Sequence, residues 1–593
     1  MCAINGFNWE NRQLGEMMNK VTAHRGPDGT GVFCEDGVTL GHNRLSIIDL
    51  SENAAQPMMS ADGNLIITYN GELYNFKDIK KELSDYQFKT ESDTEVILAS
   101  YRRWGSNCVT KFDGIFAFAI WDKSKWELFL ARDQSGVKPL YYYFQAPSTG
   151  SGQVGKFIFS SEIKAILEHN LSRKLDRTSF GHYMRLLYTP APFTIFSGIN
   201  KLKPAHFALL KSGNLEIVQY WQPKIEKTKL SYSDARAQAR ECVLGSVHRQ
   251  LVSDRPLGVY LSGGIDSSVI TAAMKAVRND IDTFSVGFDL TESEQSEKFN
   301  ADFLQARATA KYFGTKHHEI MMKSESLPEL LEQTIWHLDE PVSNATIMPM
   351  LELSKFAKEY VTVVLSGDGG DELFGGYPRY QKSRLLDYSP VTIPLDRRIE
   401  RFMFQKDNVL SRILNPEYFE LNKTREFFKE NFPALGNLTQ AFMNTDRQSW
   451  LVDEALLRSD KMSMANAVEA RVPLLSPQLI ELANSLPISW KVSLFDTKKI
   501  LKDAFARDLP ESVLRGKKRG FFSPASKWLR RPDFLSYVRE VLSPNYYPTT
   551  SPLFNWPGII SMLGEHLSGG YYLNPLWSVL TFQIWAKRFK INL

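Results

Sequence analysis

Two folding units follow one another in this sequence. Residues 2–220 read as a β-rich α+β unit, and residues 236–590 as an α/β unit with a doubly wound parallel sheet that turns helical towards its end. Three observations predict this. The first part alternates apolar and polar residues in short runs between turn residues, the period-two signature of half-buried strands. In the second part, apolar runs ending in glycine alternate with helical patterns, which argues for parallel strands joined by crossovers. Between the two, QYWQPKIEKTKLSYSDARAQ (219–238) is polar and carries a proline, so the boundary falls there.

The elements follow in order. NLIITYNGELYN (64–75) is a strand running into a turn, and FAFAIWDKSKWELFLARD (116–133) is two apolar runs around DKSK, a hairpin signal. APSTGSGQVGK (146–156) is a Gly/Ser-rich hairpin loop, because strand patterning resumes at once in FIFSSE (157–162). PLGVYLSGGIDSSVITAAMKAV (256–277) gives a strand, a glycine loop and a helix. IDTFSVGF (281–288) and KHHEIMM (316–322) add strands, and VTVVLSGDGGDELFGG (361–376) ends a β-branched strand in a second glycine loop. Ligands of such sheets lie beyond the carboxyl ends of the strands, where both loops fall. The remainder to 590 reads as helical.

Composition narrows the function. A chain of 593 residues exceeds one core. The near-balance of 71 basic against 67 acidic residues gives no reason to expect nucleic acid or an anionic membrane as partner. No apolar run is long enough to span a bilayer, and no secretory signal pattern opens the chain. Four scattered cysteines exclude a disulfide framework or zinc module, which suits a reducing, cytoplasmic setting.

The chemistry lies in a few short stretches. The chain starts MCAINGF; once the methionine is removed, the Cys2 thiol and a free α-amine share one carbon. A nucleophile and its general base then come from one residue. HRGPDG (24–29), GHNRLSIIDL (41–50), YNGELYN (69–75) and SDTEV (92–96) follow in that order. Attack on an amide creates an oxyanion, for which Asn70 and the Gly71 N–H are candidate donors. Arg44 suits an α-carboxylate and Asp93 an α-ammonium. In LSGGIDSS (261–268), Gly263 and Gly264 permit close backbone approach to a ligand, and the following helix directs its N-terminal N–H groups at an anion. Ser262, Ser267 and Ser268 add hydroxyls, and Asp266 suits a divalent cation. Asp368, Asp371 and Glu372 beside a phosphate loop imply Mg²⁺, since carboxylates repel phosphate unless a metal mediates. His317, His318 and Glu319 are adjacent on a strand and point to alternate faces, so packing is expected of them and not shared ligation.

Taken together, these motifs resemble the glutamine-hydrolysing asparagine synthetase family over nearly the full chain. The resemblance implies an N-terminal nucleophile glutaminase domain (an αββα sandwich) and a PP-loop ATP pyrophosphatase domain. It implies Cys2 as nucleophile, with Arg44, Leu45, Ser46, Ile47, Ile48, Asn70, Gly71, Glu72 and Asp93 around glutamine. It implies Leu261, residues 262–268, Val286, Ser366 and Gly367 at ATP, Asp266 and Asp371 on Mg²⁺, and Lys498 near developing phosphate charge, with Lys499 its neighbour. LLRSDKMSMANAVEARVPLL (456–475) resembles a segment at the synthetase site, matching at Arg458, Asp460, Met464, Glu469 and Arg471. KKRGFFSPASKW (517–528) resembles a segment near the C-terminal helices. A homodimer would be ordinary for the family.

Two departures bear on the acceptor carboxylate: Ser476 where the family commonly has aspartate, and Asn344 after DEP where members often have one. Aspartate is the first reading of the acceptor. The alternative is another carboxylate, a uronic acid sugar or a secondary-metabolite acid. A non-catalytic scaffold would lose its chemical residues first, yet Cys2, Asn70, Asp266, Asp371 and Lys498 are all present.

Overall fold

The computed structural model of the chain describes residues 2–147, 155–224, 226–323, 326–388, 393–418, 422–431, 437–516 and 520–593. Most of the Gly/Ser-rich loop and the start of the 517–528 segment lie outside them. Up to residue 219 the strands are β1 (Ala3–Phe7), β2 (Gly29–Glu35), β3 (Val38–Arg44), β4 (Met58–Met59), β5 (Leu65–Leu73), β6 (Gly114–Asp122), β7 (Glu127–Arg132), β8 (Tyr141–Gln145), β9 (Lys156–Ser160), β10 (Ile199–Lys201), β11 (His206–Lys211) and β12 (Asn214–Gln219). They form two antiparallel six-stranded sheets, ordered β10-β8-β9-β1-β3-β2 and β12-β11-β7-β6-β5-β4. The predicted hairpins are present: β6 pairs with β7, and β8 with β9.

The two sheets face each other through Ile4 and Leu40 on one side and Ile66, Ala117 and Leu130 on the other. Helix α1 (Arg12–Val21), capped by Asn11, covers the outer face of the first sheet, with Met18 packed among Phe7 and Ile158. Helix α2 (Asp93–Trp104), capped by Ser92, covers the second through Val96 and Ile97 against Phe116 and Phe118. The layering is helix, sheet, sheet, helix, because each sheet buries both its faces.

In the register of β5 on β6, Asn70 stands opposite Ala117 and Gly71 opposite Phe116. A Cβ at Gly71 would lie 2.1 Å from the carbonyl oxygen of Ile115. Backbone in a paired strand cannot yield cheaply, so Gly71→Ala is expected to cost about 1–3 kcal/mol. Chemical unfolding checks this; an unchanged midpoint would mean that β6 yields freely.

The second unit holds five parallel strands, β13 (Leu257–Tyr260), β14 (Asp282–Phe288), β15 (Lys316–Met322), β16 (Val363–Leu365) and β17 (Glu469–Arg471), ordered β15-β14-β13-β16-β17. Helix α3 (Ile265–Lys275) packs on one face, through Val269 and Ala273 near Val259 and Leu365. Helix α4 (Ile347–Ala357) packs on the other, through Met348 and Leu351 near Phe284 and Val364. Helices therefore cover both faces, and the strand order reverses at β13. The two glycine loops leave neighbouring strands at this switch point, where a crevice opens.

One strand departs from expectation. Residues 469–471 were expected within the helical remainder, but they form the edge strand β17 beside β16. Three residues are too few for a period-two pattern to show. The helix Leu573–Phe589 is almost wholly buried and ties the units together: Tyr183 donates to Ser578 O at 2.8 Å, and Trp585 Nε1 donates to Asp339 O at 2.6 Å. No helix among the described residues is long and apolar enough to cross a membrane.

Candidate active sites

Cys2 immediately precedes β1 and is 7% exposed. Its N–H donates to Asn70 Oδ1 at 3.0 Å, and its sulfur lies 3.9 Å from Leu45 O. The Asn70 Nδ2 is buried without a hydrogen-bond partner. That is a costly state unless the donor is kept for something else. Burial pushes the Cys2 thiol above its ordinary range, so a base must take its proton before attack.

A cavity opens beside the sulfur, lined by Cys2, residues 44–48, Gly71, Glu72 and Asp93. Arg44 is braced by the carbonyls of Ser51 at 2.8 Å and Asp49 at 2.5 Å, which fixes the guanidinium at the cavity wall. Asp93, at the first turn of α2, accepts from Tyr69 Oη at 2.9 Å and Leu73 N at 2.8 Å. Burial pushes its carboxyl up to about 6 although both donors pull the other way. The Glu72 carboxyl is likewise pushed well above the usual carboxylate range, by burial and by the nearby carboxylates of Glu469 and Asp93.

Sequence reasoning missed three contributors. Tyr69 and Gln56 line the same cavity, and Gln56 Oε1 holds the Tyr69 N–H at 2.7 Å. Arg25, quoted only as part of HRGPDG, is fully buried; its Nε donates to Cys2 O at 3.1 Å while its other nitrogens meet Glu162 at 3.3 Å and Asp460 at 2.8 Å. A buried arginine between two distant acids leaves no periodic trace in sequence.

The second site is built where α3 begins. Ser262 Oγ and Ser267 Oγ lie 2.9 Å apart, Gly264 N donates to Ser262 Oγ at 3.2 Å, and Ser268 Oγ donates to Gly264 O at 2.7 Å. The hydroxyls expected to donate outward hold the loop's own shape. The second loop packs directly on it: a Cβ at Gly367 would lie 2.7 Å from Asp266 Cβ, and one at Gly370 2.3 Å from Asp266 Oδ1. Leu261, just past β13, and Val286, within β14, are buried beside it.

Lys498 Nζ is buried between the two loops, in contact with Asp266 and 2.6 Å from Asp371. Lys499 points elsewhere, over the Tyr232 ring at 5.1 Å, so Lys498 is the lysine of this site. The three acids of the second loop part company. Asp371 joins Asp266, and Asp368 accepts from Ser366 Oγ at 2.8 Å. Glu372 accepts from Tyr377 Oη at 2.6 Å, with burial pushing its carboxyl up to about 8.

Other expectations resolve differently. Glu469 and Arg471 do not turn their side chains into this site: Arg471 faces Glu72 of the Cys2 cavity at 3.8 Å. Ser476 stands at the N-cap position of the helix Pro477–Ser485, but its hydroxyl makes no capping bond and is buried without a hydrogen-bond partner. Asn344 Nδ2 donates to Glu454 Oε1 at 2.6 Å, and that carboxylate also receives Arg458 Nε at 2.8 Å. His317 and His318 take separate partners, Thr283 at 2.9 Å and Asp282 at 2.8 Å, as the strand alternation required.

A nucleophile cavity in a sandwich of sheets, joined to a glycine-loop crevice at the switch point of a parallel sheet, defines a two-site enzyme architecture. The chain belongs to the asparagine synthase family, which it matches over residues 238–587, with a glutamine amidotransferase domain matched over residues 1–221. It is 32% identical to asparagine synthetase [glutamine-hydrolyzing] 1 of Bacillus subtilis, over 97% of this chain and 94% of that protein. It is 34% identical to asparagine synthetase [glutamine-hydrolyzing] 3 of the same organism, over 91% and 89%. A putative asparagine synthetase [glutamine-hydrolyzing] of Mycobacterium bovis is 30% identical, over 95% and 91%.

Proposed function

We propose that this protein is a glutamine-dependent amidotransferase. It hydrolyses glutamine at Cys2 and uses ATP, cleaved to AMP and pyrophosphate, to amidate a carboxylate, with aspartate giving asparagine. The observation that carries the reading is the pairing of two built sites in one chain: a buried cysteine whose N–H rests on Asn70 while the Asn70 Nδ2 donor stays unspent, and a lysine held between the carboxylates of two glycine loops.

At the first site the freed α-amine of Cys2 takes the thiol proton. The sulfur attacks the side-chain amide of glutamine, and Asn70 Nδ2 with the Gly71 N–H receives the oxyanion. Ammonia leaves with the proton, and water hydrolyses the glutamyl thioester. Arg44 pairs the α-carboxylate and Asp93 the α-ammonium. At the second site Leu261, residues 262–268, Val286, Ser366 and Gly367 surround ATP, and Lys498 meets the charge that builds on the leaving pyrophosphate. Two carboxylates, Asp266 buried and Asp371 half-buried, come together at the Lys498 ammonium, and such a pair fits Mg²⁺, which takes one or two carboxylates together with substrate phosphates. Asp266 and Asp371 would hold it, and it would supply charge neutralisation.

Ammonia is mostly protonated in neutral water, so a covered route between the sites is a physical requirement. A small cavity between the units, lined by Arg132, Lys201, Val452 and Asp453 among others, supports one. The cysteines Cys2, Cys34, Cys108 and Cys242 are all free thiols, which a reducing compartment suits.

The deciding assay is pyrophosphate release with ATP, Mg²⁺ and ammonium chloride, with and without aspartate, with asparagine read by mass. Aspartate-dependent release of both products is expected. If aspartate adds nothing while glutamine is still hydrolysed, the acceptor is another carboxylate.

The first site also carries a pH dependence. Ionised Asp93 pairs an ammonium and protonated Asp93 does not, and its carboxyl titrates near 6. KM for glutamine is therefore expected to be level above pH 7 and to rise below 6, approaching about tenfold per unit. A KM that stays level from pH 7 to 5 would remove Asp93 from ammonium binding.

A further inference from the structure

Arg471 lies on the edge strand of the second unit, yet it touches both sites. Its Nε donates to Glu469 Oε1 at 2.5 Å, and its Nη1 donates to the carbonyls of Gln250 at 2.6 Å and Val252 at 2.7 Å. The remaining nitrogen, Nη2, is buried without a hydrogen-bond partner and faces Glu72 Oε2, which is also buried and also without one, across 3.8 Å. Glu72 lines the Cys2 cavity. The guanidinium also lies 5.6 Å from the centre of the Tyr74 ring, just past Glu72 on the chain.

The main chain of the same residue reaches the other site. Arg471 pairs with Leu365 in the sheet, and its carbonyl accepts the Ser366 N–H at 2.9 Å. Ser366 is the first residue of the second glycine loop and in turn holds Asp368. One residue thus forms part of the wall behind the Cys2 cavity with its side chain and anchors the nucleotide loop with its backbone. Because three acceptors clamp the guanidinium, movement at Glu72 cannot be absorbed by rotation of a loose side chain. It passes into β17.

We propose that Arg471 is a positioning residue that couples occupation of the Cys2 cavity to occupation of the nucleotide loops. The inference rests on the function proposed above. An α-ammonium entering beside Glu72 and Asp93 changes the charge that Arg471 Nη2 faces, and the 3.8 Å separation is the distance that responds. The strand then carries the change to Ser366. Any such coupling is reciprocal: each ligand alters the affinity of the other by one factor.

The test uses the full-length Cys2→Ala protein, which cannot form the thioester, with L-glutamine and the Mg²⁺ complex of α,β-methylene ATP as probes. Calorimetry gives the affinity for each probe alone and in the presence of the other. Glutamine is expected to change the affinity for the ATP analogue by about 5–150-fold, with the same factor in reverse. Adding Arg471→Lys, or the milder Glu469→Gln that keeps an oxygen acceptor for Arg471, is expected to bring the factor close to one. Each probe alone should still bind with nearly unchanged affinity, an outcome that a merely structural role would not give. A factor of one in Cys2→Ala protein that binds both probes overturns the inference. So does an undiminished factor in either variant. Protein that binds neither glutamine nor the analogue overturns the functional reading itself.

Discussion

Replacing Cys2 by alanine is expected to abolish glutamine-dependent product formation while ammonia-dependent formation continues. The substitution removes one sulfur from a residue whose backbone is fixed independently, by Asn70 Oδ1 on its N–H and by Arg25 on its carbonyl. The cavity and the second site therefore keep their shape. What is lost is the only thiol among the described residues that line the cavity. Loss of a covalent nucleophile costs about 10⁴-fold or more in kcat. Parallel assays of glutamate and amide product, with glutamine or ammonium chloride as nitrogen source, check this. Glutamine turnover surviving in the variant would require a different nucleophile. Loss of both activities would mean that Cys2 also shapes the second site. The wild-type chain adds a second condition: a protein that retains Met1 lacks the free α-amine on Cys2. Because burial raises the thiol above its ordinary range, such a chain should hydrolyse glutamine poorly.

The sequence carried the parts of both sites that depend on local rules. Strand-loop-helix punctuation located the 262–268 loop, and parallel-sheet topology then placed the 366–371 loop beside it, since β13 and β16 are neighbours. The short motifs, and the family resemblance built on them, named Cys2, residues 44–48, Gly71, Glu72 and Asp93 of the Cys2 cavity wall but not Ala54, Gln56, Tyr69, Ser92 or Thr94. What stayed illegible is what arises only between distant segments. Arg25 between Glu162 and Asp460, and Lys461 between Asp339 at 2.6 Å and Glu162 at 3.4 Å, join parts of the chain hundreds of residues apart. In sequence, each is an ordinary charged residue, of a kind usually found at the surface. Buried like this, each acid and base is costly to separate from its partner, because removing one leaves a charge uncompensated. The strand β17 was hidden for a related reason. Its three residues belong to the sheet only because Val363, Val364 and Leu365 of β16 are there to pair with them. Its two charged side chains, read alone, suggest a substrate site and not a wall between units.

Lys498 is where the second large effect is expected. It is 2% exposed, and its ammonium touches Asp266 of one loop and Asp371 of the other. Its backbone is left-handed, at φ 54°, directly before the helix Lys499–Ala504, so the side chain is directed by a strained turn and not by helix geometry. Lys498→Met keeps the length and removes the charge. Pyrophosphate release should then fall by about 10²–10³-fold in kcat, the usual effect of deleting one preorganised donor to developing negative charge. The fall should be equal with glutamine and with ammonium chloride, because the lesion lies after the nitrogen source. Hydrolysis of glutamine should change little. A loss confined to the glutamine-driven reaction would place Lys498 in communication between sites and not in ATP chemistry. The same variant makes the case for the metal testable without turnover. Removing the ammonium leaves Asp266 and Asp371 facing each other with their shared cation gone, a repulsion that protonation or a divalent ion can relieve. The variant should therefore unfold at a lower temperature than the wild type without Mg²⁺, and recover more on its addition. At a concentration of a hundred times Kd that recovery amounts to about 2.7 kcal/mol. A melting temperature indifferent to Mg²⁺ in both proteins would mean that the two carboxylates hold no ion without ATP, and that the metal arrives only with the nucleotide.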